Sequence, residues 1–285
     1  MTVITPNVLR DWALPQADGG KYSRGNVIVI GGAARTPGAA MLSGLAALRV
    51  GAGRLTLAVA SSVAPHVAVA VPESGVEPLA EDDDGHIRPD ALDGLADSLS
   101  AADAVLIGPG LDEPEGTKGL VKALLAAAGD DTIVLLDAFA LGVAGDLADE
   151  LRPFAGRLVM TPNSSEAERL LGREPSDDAE NDAREIAQRF GSVVSFSSVI
   201  ADADGSIWTT GTGTGGLGTS GSGDVLSGAI AGIAARGADC TQAAVWATHA
   251  HSAAGDRLAV EVGPTGYLAS ELLAQLPRVL VEHGG

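Results

Sequence analysis

The sequence predicts an α/β fold in which one mostly parallel sheet is covered by helices on both faces. Three observations carry this expectation. Apolar runs of strand length alternate with amphipathic runs of helix length along most of the chain. The strand runs, such as NVIVI at 26–30 and TIVLL at 132–136, are continuously apolar, as strands buried on both faces must be. No Pro- or Ser-rich linker and no internal repeat divides the 285 residues, so a single domain over 1–285 is expected.

Each element follows from its own pattern. The run at 26–30 is a first buried strand. An Ala/Leu-rich helix is predicted over 38–50 and a second strand over 54–60. The periodicity then predicts a helix over 89–99, a strand at 104–107, a helix over 116–128 and a strand at 132–136. A short strand at 158–160 leads to a helix over 165–171, and 178–190 reads as a charged amphipathic helix. Short strands are predicted at 193–196, 199–203 and 206–210, with Asp204-Gly205 as the turn between the last two. Helices over 224–235, 241–258 and 267–281 close the chain. The acidic stretch EDDDG at 81–85 is short enough to be a loop.

Composition excludes several classes of function. The chain carries 37 Asp and Glu against 18 Lys and Arg, a net charge of −19. Polyanion binding needs clustered basic residues, so neither nucleic acid nor an anionic membrane is an expected partner. The one cysteine, Cys240, cannot form an internal disulfide or a thiolate cluster, and reads as a packing residue. No apolar stretch approaches the roughly 18 residues of a spanning helix. The start, MTVITPNVLRDW, lacks the basic and apolar regions of a signal peptide. A cytoplasmic protein is expected. Aromatic residues make up 3%, so Ala, Val and Leu must fill the core.

The strongest local feature is GTGTGGLGTSGSG at 211–223, followed by Asp224 and a helix. Glycines let backbone N–H groups approach a ligand, and a helix start adds unpaired donors and a positive dipole end. Gly221, Ser222 and Gly223 would form an anion hole with the Asp224 carboxylate at its lip. That suits a phosphate held beside a general base. A glycine loop closed by Asp224 as a plain helix cap has the same spacing, and both readings stay open on it. The run contains two G-x-G-x-x-G matches, Gly211/Gly213/Gly216 and Gly216/Gly218/Gly221. Neither opens a strand-to-helix unit, so a dinucleotide fingerprint is rejected. Four further strand ends are glycine-rich or polar: 31–40, 108–111, Asp137-Ala138 and 161–166. Together they would line one rim of the sheet, where such folds bind ligands. His66, His86 and His283 read as surface residues. His249 and His251 lie two apart on one helix and face different sides, which argues against a histidine metal site. Trp246 reads as core.

These motifs, in this order, resemble the ribokinase-like superfamily and, within it, the ADP/ATP-dependent NAD(P)H-hydrate dehydratases. The blocks that carry the resemblance are KYSRGNVIVIGGAARTPGAAMLSGLAALRVGAG at 21–53, IGPGL at 107–111, LLDAFAL at 135–141, TPNSSEAERLLG at 161–172 and GLGTSGSGDVLSGAIAGIAARG at 216–237. HAHSAAGDRLA at 249–259 and GYLASELLAQLP at 266–277 also fit. The resemblance implies a ribokinase-like single domain, the dehydratase domain alone with no epimerase domain. It implies repair of NADH or NADPH hydrated at C6, with ADP or ATP as co-substrate and Mg2+. Asp224 would take the proton of the ring hydroxyl, which attacks the terminal phosphoryl group before phosphate is eliminated. Ala39, Gly110 and Asn163 match positions that hold the hydrated dinucleotide. Asn163 stands where the family has His. Ser197 and Ser198 lie in the stretch where the family carries Lys-Gly at the nucleotide. A homo-oligomer, as a homotetramer, is the family expectation. A ribokinase-type kinase for a vitamin-like alcohol, or a nucleotide-binding homologue without catalysis, are the alternatives.

Overall fold

A computed structural model describes residues 1–16, 19–213 and 215–285. In chain order the elements are β1 (Thr2–Ile4), α1 (Pro6–Asp11), β2 (Asn26–Ile30), α2 (Pro37–Arg49), β3 (Arg54–Ala60), α3 (Ala64–Ala70), β4 (Gly75–Leu79) and α4 (Ala96–Ser100). Next come β5 (Ala104–Ile107), α5 (Pro114–Ala127), β6 (Ile133–Leu136), α6 (Phe139–Ala144), α7 (Ala148–Leu151), β7 (Leu158–Met160), α8 (Ser164–Leu171) and α9 (Ala179–Phe190). The last part holds β8 (Val193–Phe196), β9 (Val199–Ala201), β10 (Ile207–Thr210), α10 (Ser222–Ala235), α11 (Cys240–Glu261) and α12 (Ala269–His283).

The strands form one sheet in the order β1-β10-β9-β8-β7-β6-β5-β2-β3-β4. Seven neighbouring pairs are parallel, and only the two made by β9 are antiparallel. From β2 the chain runs outward through β3 and β4, then returns to β5 on the other side and continues to β8. The reversal between β2 and β5 is a topological switch point, the place where parallel α/β sheets open a crevice at their carboxyl ends.

Side chains alternate along each strand, and this alternation divides the core into two layers. Val27, Val29, Leu55 and Leu57 meet α2, α10, α11 and α12 on one face. Ile28, Ile30, Val105 and Ile107 meet the layer of α5, α6, α8 and α9 on the other. The predicted α/β sandwich is therefore present, with Trp246 and Cys240 buried as expected. No helix among the described residues is long and apolar enough to cross a membrane.

The predicted helix over 89–99 is a correction. Residues 88–95 make separate turns, with Ala91 N–H bonded to the Arg88 carbonyl and Leu95 N–H to the Leu92 carbonyl. Only Ala96–Ser100 is helical. Gly94 costs a helix interior about 1 kcal/mol, and the Arg88 guanidinium grips the Asp90 carboxyl at 3.0 and 2.7 Å, which favours the local turn. Pattern reading also passed over β1, α1, α3, β4, α6 and α7. All are short, and β4 carries Pro78, which an outer strand tolerates.

The helix that starts the glycine site is seated by close packing. α10 runs along α2, and a Cβ on Gly228 would lie 2.0 Å from the Ser43 carbonyl oxygen. The obstacle is backbone, so it cannot swing aside. Gly228→Ala is expected to lose about 1–3 kcal/mol of stability in urea unfolding. A native midpoint would show that the two helices can separate freely.

Candidate active site

The site lies at the carboxyl ends of the central strands. At the switch point the loops after β2 and β5 are tied together. Gly32 N–H donates to the Pro109 carbonyl at 2.8 Å, Ala33 N–H to the Gly110 carbonyl at 2.8 Å, and the Thr36 hydroxyl to Gly110 at 2.9 Å. These bonds bring Gly110 and Ala39 side by side: a Cβ on Gly110 would lie 3.2 Å from the Ala39 methyl. Two residues that the family resemblance marks for the same ligand are thus neighbours in space.

One turn further along α2, at Leu42, stands the start of α10. Its N-cap is Gly221, at φ 87°, a left-handed conformation that favours glycine. The room a side chain would need there is taken by Leu42 of α2. Asp224 is not a cap, since α10 has no side-chain cap bond at all. Ser222 N–H is taken by the Thr219 carbonyl at 3.2 Å, and Val225 N–H begins the helical ladder on Gly221. The N–H groups of Gly223 and Asp224 have no acceptor among the described residues, so they are the donors open to an anion. The Ser222 side chain is buried and points inward, to His251 at 2.9 Å. Its hydroxyl therefore faces away from the opening. The preceding glycine loop is pinned by Gly213 N–H, which donates to the Asp256 carboxyl at 3.0 Å. Thr214 of that run lies outside the described residues.

Three carboxyl groups share this end of the sheet. Burial pushes Asp224 up to about 7, and the neighbouring Asp137 and Glu166 charges push in the same direction. Glu166 is also raised to about 7, by burial first and by Asp137 among its neighbours. Asp137 follows β6 and is almost fully buried. Burial raises it too, against the hydroxyl of Thr161, which donates to it at 2.8 Å. The residue after it, Ala138, has φ 49°, unusual for a side-chain-bearing residue. Such strain is found where surrounding structure over-determines a position. The Asp137 carbonyl closes this turn by accepting the Ala140 N–H at 3.1 Å.

The remaining predicted residues separate by role. Asn163 is exposed and caps α8: its Oδ1 accepts from Ser165 N–H at 2.9 Å and Glu166 N–H at 3.0 Å. Glu166 answers by accepting Asn163 N–H at 2.9 Å, which completes a capping box. Ser197 and Ser198 form the exposed turn between β8 and β9, both with positive φ, at 48° and 67°. Ser195 is buried and shares a hydrogen bond of 2.9 Å with Thr248. Two histidines are corrected. His283 is packed edge-on against His249, with their Nε2 atoms 3.2 Å apart, because α11 and α12 are adjacent. His86 is half-buried against Asp112 at 2.8 Å.

The donor set at this site is all oxygen, which suits a hard cation. Among the described residues no three carboxylates, imidazoles or thiolates converge into a cage. Mg2+ characteristically uses one or two carboxylates together with waters and phosphates. The residues therefore fit Mg2+ carried on a nucleotide, with Asp137 and Glu166 as the carboxylates it would meet.

A mostly parallel sheet with an uncapped helix start, a glycine loop and a half-buried carboxyl is the arrangement of a ribokinase-like protein. The NAD(P)H-hydrate dehydratase family profile matches residues 27–278, and the chain belongs to that family. It is 43% identical to the ADP-dependent (S)-NAD(P)H-hydrate dehydratase of Xanthomonas campestris, over 97% of this chain and 95% of that one. It is 37% identical to the bifunctional NAD(P)H-hydrate repair enzyme Nnr of Moorella thermoacetica, of which it spans 51%. Among solved structures, the ADP/ATP-dependent NAD(P)H-hydrate dehydratase from Bacillus subtilis, co-crystallized with ATP/Mg2+, superposes with a TM-score of 0.81 at 29% identity. The match covers 99% of this chain and 98% of the other.

The raised Asp224 makes a stability prediction. Between its ordinary value and about 7, the folded protein keeps a proton that the unfolded chain releases, so the native state loses stability as pH climbs through that window. Asp224→Asn should match the native protein near about pH 4 and exceed it by about 1–3 kcal/mol at about pH 8 in urea unfolding. Equal stability at both would mean that the carboxyl is not desolvated.

Proposed function

We propose that this chain restores NADH and NADPH hydrated at C6 of the nicotinamide ring, using ADP or ATP. The observation that carries this reading is the pairing at the start of α10: two unsatisfied N–H donors and one half-buried carboxyl that holds its proton to about pH 7. The donors suit a terminal phosphate, and the carboxyl suits a base for a hydroxyl beside it.

The reaction balances as follows. Asp224 accepts the proton of the ring hydroxyl. The hydroxyl oxygen bonds to the terminal phosphorus as the bond to the rest of the nucleotide breaks, leaving AMP from ADP or ADP from ATP. The ring nitrogen then expels the phosphate, and loss of a proton from the neighbouring ring carbon restores the dihydronicotinamide. Of the three expected cradle residues, Gly223 offers an open N–H to the phosphate beside that of Asp224, Gly221 turns the chain into the helix, and Ser222, whose N–H is bonded to Thr219, shapes the turn. Ser197 and Ser198 offer neutral hydroxyls to the nucleotide, where a lysine would have offered charge. Ala39 and Gly110 at the switch point, with Asn163 above β7, form the side that receives the dinucleotide. Mg2+ bound to the nucleotide supplies charge neutralisation at the transferring group. Residues 1–285 act as one dehydratase domain in this reading. A homotetramer comes into it from the family resemblance, and a cytoplasmic location from the sequence reading.

The test is incubation of chemically hydrated NADPH with ADP or ATP and Mg2+, following recovery of the near-ultraviolet absorbance of the reduced cofactor. Turnover should rise with pH through about 7, as Asp224 loses its proton, and then level off. Asp224→Asn should lower turnover by about 10²- to 10⁴-fold while nucleotide still binds. No recovery of absorbance by the native protein, or native turnover in the variant, would contradict the reading.

A further inference from the structure

Four of the longer helices carry a side-chain cap, whereas α2, α10 and α12 do not. Glu113 caps α5, Asn163 α8, Asp178 α9 and Asp239 α11, each accepting backbone N–H groups of the first turn. α10 has none. A cap there would occupy the donors that a phosphate needs, yet a first turn without a cap is prone to fray. Something else must hold it.

Ser222, the first residue of α10, turns its hydroxyl into the protein and shares a 2.9 Å hydrogen bond with Nε2 of His251. Both side chains are buried. Burial holds the imidazole down to about 4, so it is neutral at ordinary pH and acts as a hydrogen-bond partner rather than as a base or a cation. His251 is itself rigidly mounted. It sits mid-way along α11, where Thr248 is bonded to Ser195 of β8 and Asp256 holds Gly213 of the glycine loop. One helix thus grips the end of β8, the glycine loop and the start of α10.

We propose that His251 is a positioning residue that takes over the work of the missing cap. By fixing the Ser222 side chain from inside, it orients the Gly223 and Asp224 N–H donors and the Asp224 carboxyl while leaving the outer face of the turn open to phosphate. This rests on the dehydratase reading for what the turn is used for, though the bond can be tested without turnover.

The experiment compares His251→Leu, His251→Gln, Ser222→Ala and the double variant His251→Leu/Ser222→Ala with the native protein. ADP affinity in the presence of Mg2+ is measured by calorimetry, and turnover is measured on hydrated NADPH. Loss of one such hydrogen bond corresponds to about 3- to 10-fold. His251→Leu and Ser222→Ala should each weaken ADP binding by about that factor, with a larger fall in turnover. The double variant should be no worse than the worse single one, because both remove the same bond. His251→Gln, which keeps a polar atom near the Nε2 position, should recover most of the loss. Native ADP affinity in either single variant, additive losses, or a Gln variant as impaired as the Leu variant would overturn the proposal. If His251→Leu does not fold, Ser222→Ala decides alone, since it removes the bond with almost no change of volume. A native protein that binds ADP and shows this coupling but never restores the cofactor would overturn the dehydratase reading and leave the role of His251 standing.

Discussion

In the proposed reaction the first turn of α10 must stay open, and much of the molecule is packed around that turn. A helix start satisfied by its own side chains cannot bind a phosphate, whereas one left unsatisfied has to be held by something other than a cap. Here the helix is pressed onto α2 along a face of small residues, so close that Gly228 has the Ser43 carbonyl where its Cβ would be. Gly221 turns the chain into the helix at positive φ, with Leu42 filling the space beside it. The glycine loop ahead of it is fastened to α11 through Asp256. The loop's glycines therefore serve close approach, while neighbouring elements limit their freedom.

The same opening explains an electrostatic arrangement that would otherwise be unfavourable. Asp137, Glu166 and Asp224 come from three different strand ends or helix starts; Asp137 raises the proton affinity of Glu166, and both raise that of Asp224. Like charges in a partly buried site make folding harder as they ionise. In the proposed reaction they would keep one carboxyl near the pH at which a base works best, and would offer hard oxygen ligands to a cation arriving with its nucleotide. In a chain of net charge −19, the local donors and that cation must outweigh a long-range field that opposes anions.

Much of this was legible in the sequence because its causes are local. Strands buried on both faces announce themselves as unbroken apolar runs, and Asn26–Ile30 and Arg54–Ala60 match their patterns residue for residue. The glycine run beside Asp224 was visible in the sequence with the anion-hole and helix-cap readings both open on it, and the structure removes the cap. Partnerships between distant residues were not legible. Nothing in the spacing says that Asp137, Glu166 and Asp224 meet, or that Ser222 turns away from the ligand side toward His251, 29 residues further on. Asn163 is an intermediate case. Its capping box with Glu166, an Asn followed three residues later by Glu, can be read from sequence alone. The resemblance drew attention to the dinucleotide instead, while the structure commits its side-chain oxygen to α8.

The central claim is that the hydroxyl of the hydrated ring attacks phosphorus and leaves as part of the phosphate. The fate of its oxygen tests this most directly. Hydrated NADPH carrying a heavy oxygen isotope in the C6 hydroxyl is turned over with unlabelled ADP or ATP, and the released phosphate is analysed by mass spectrometry. The account predicts one labelled oxygen in each phosphate released with each reduced cofactor formed. Label recovered in water, with unlabelled phosphate, would mean that the nucleotide is hydrolysed separately and that the hydroxyl at the start of α10 never attacks it.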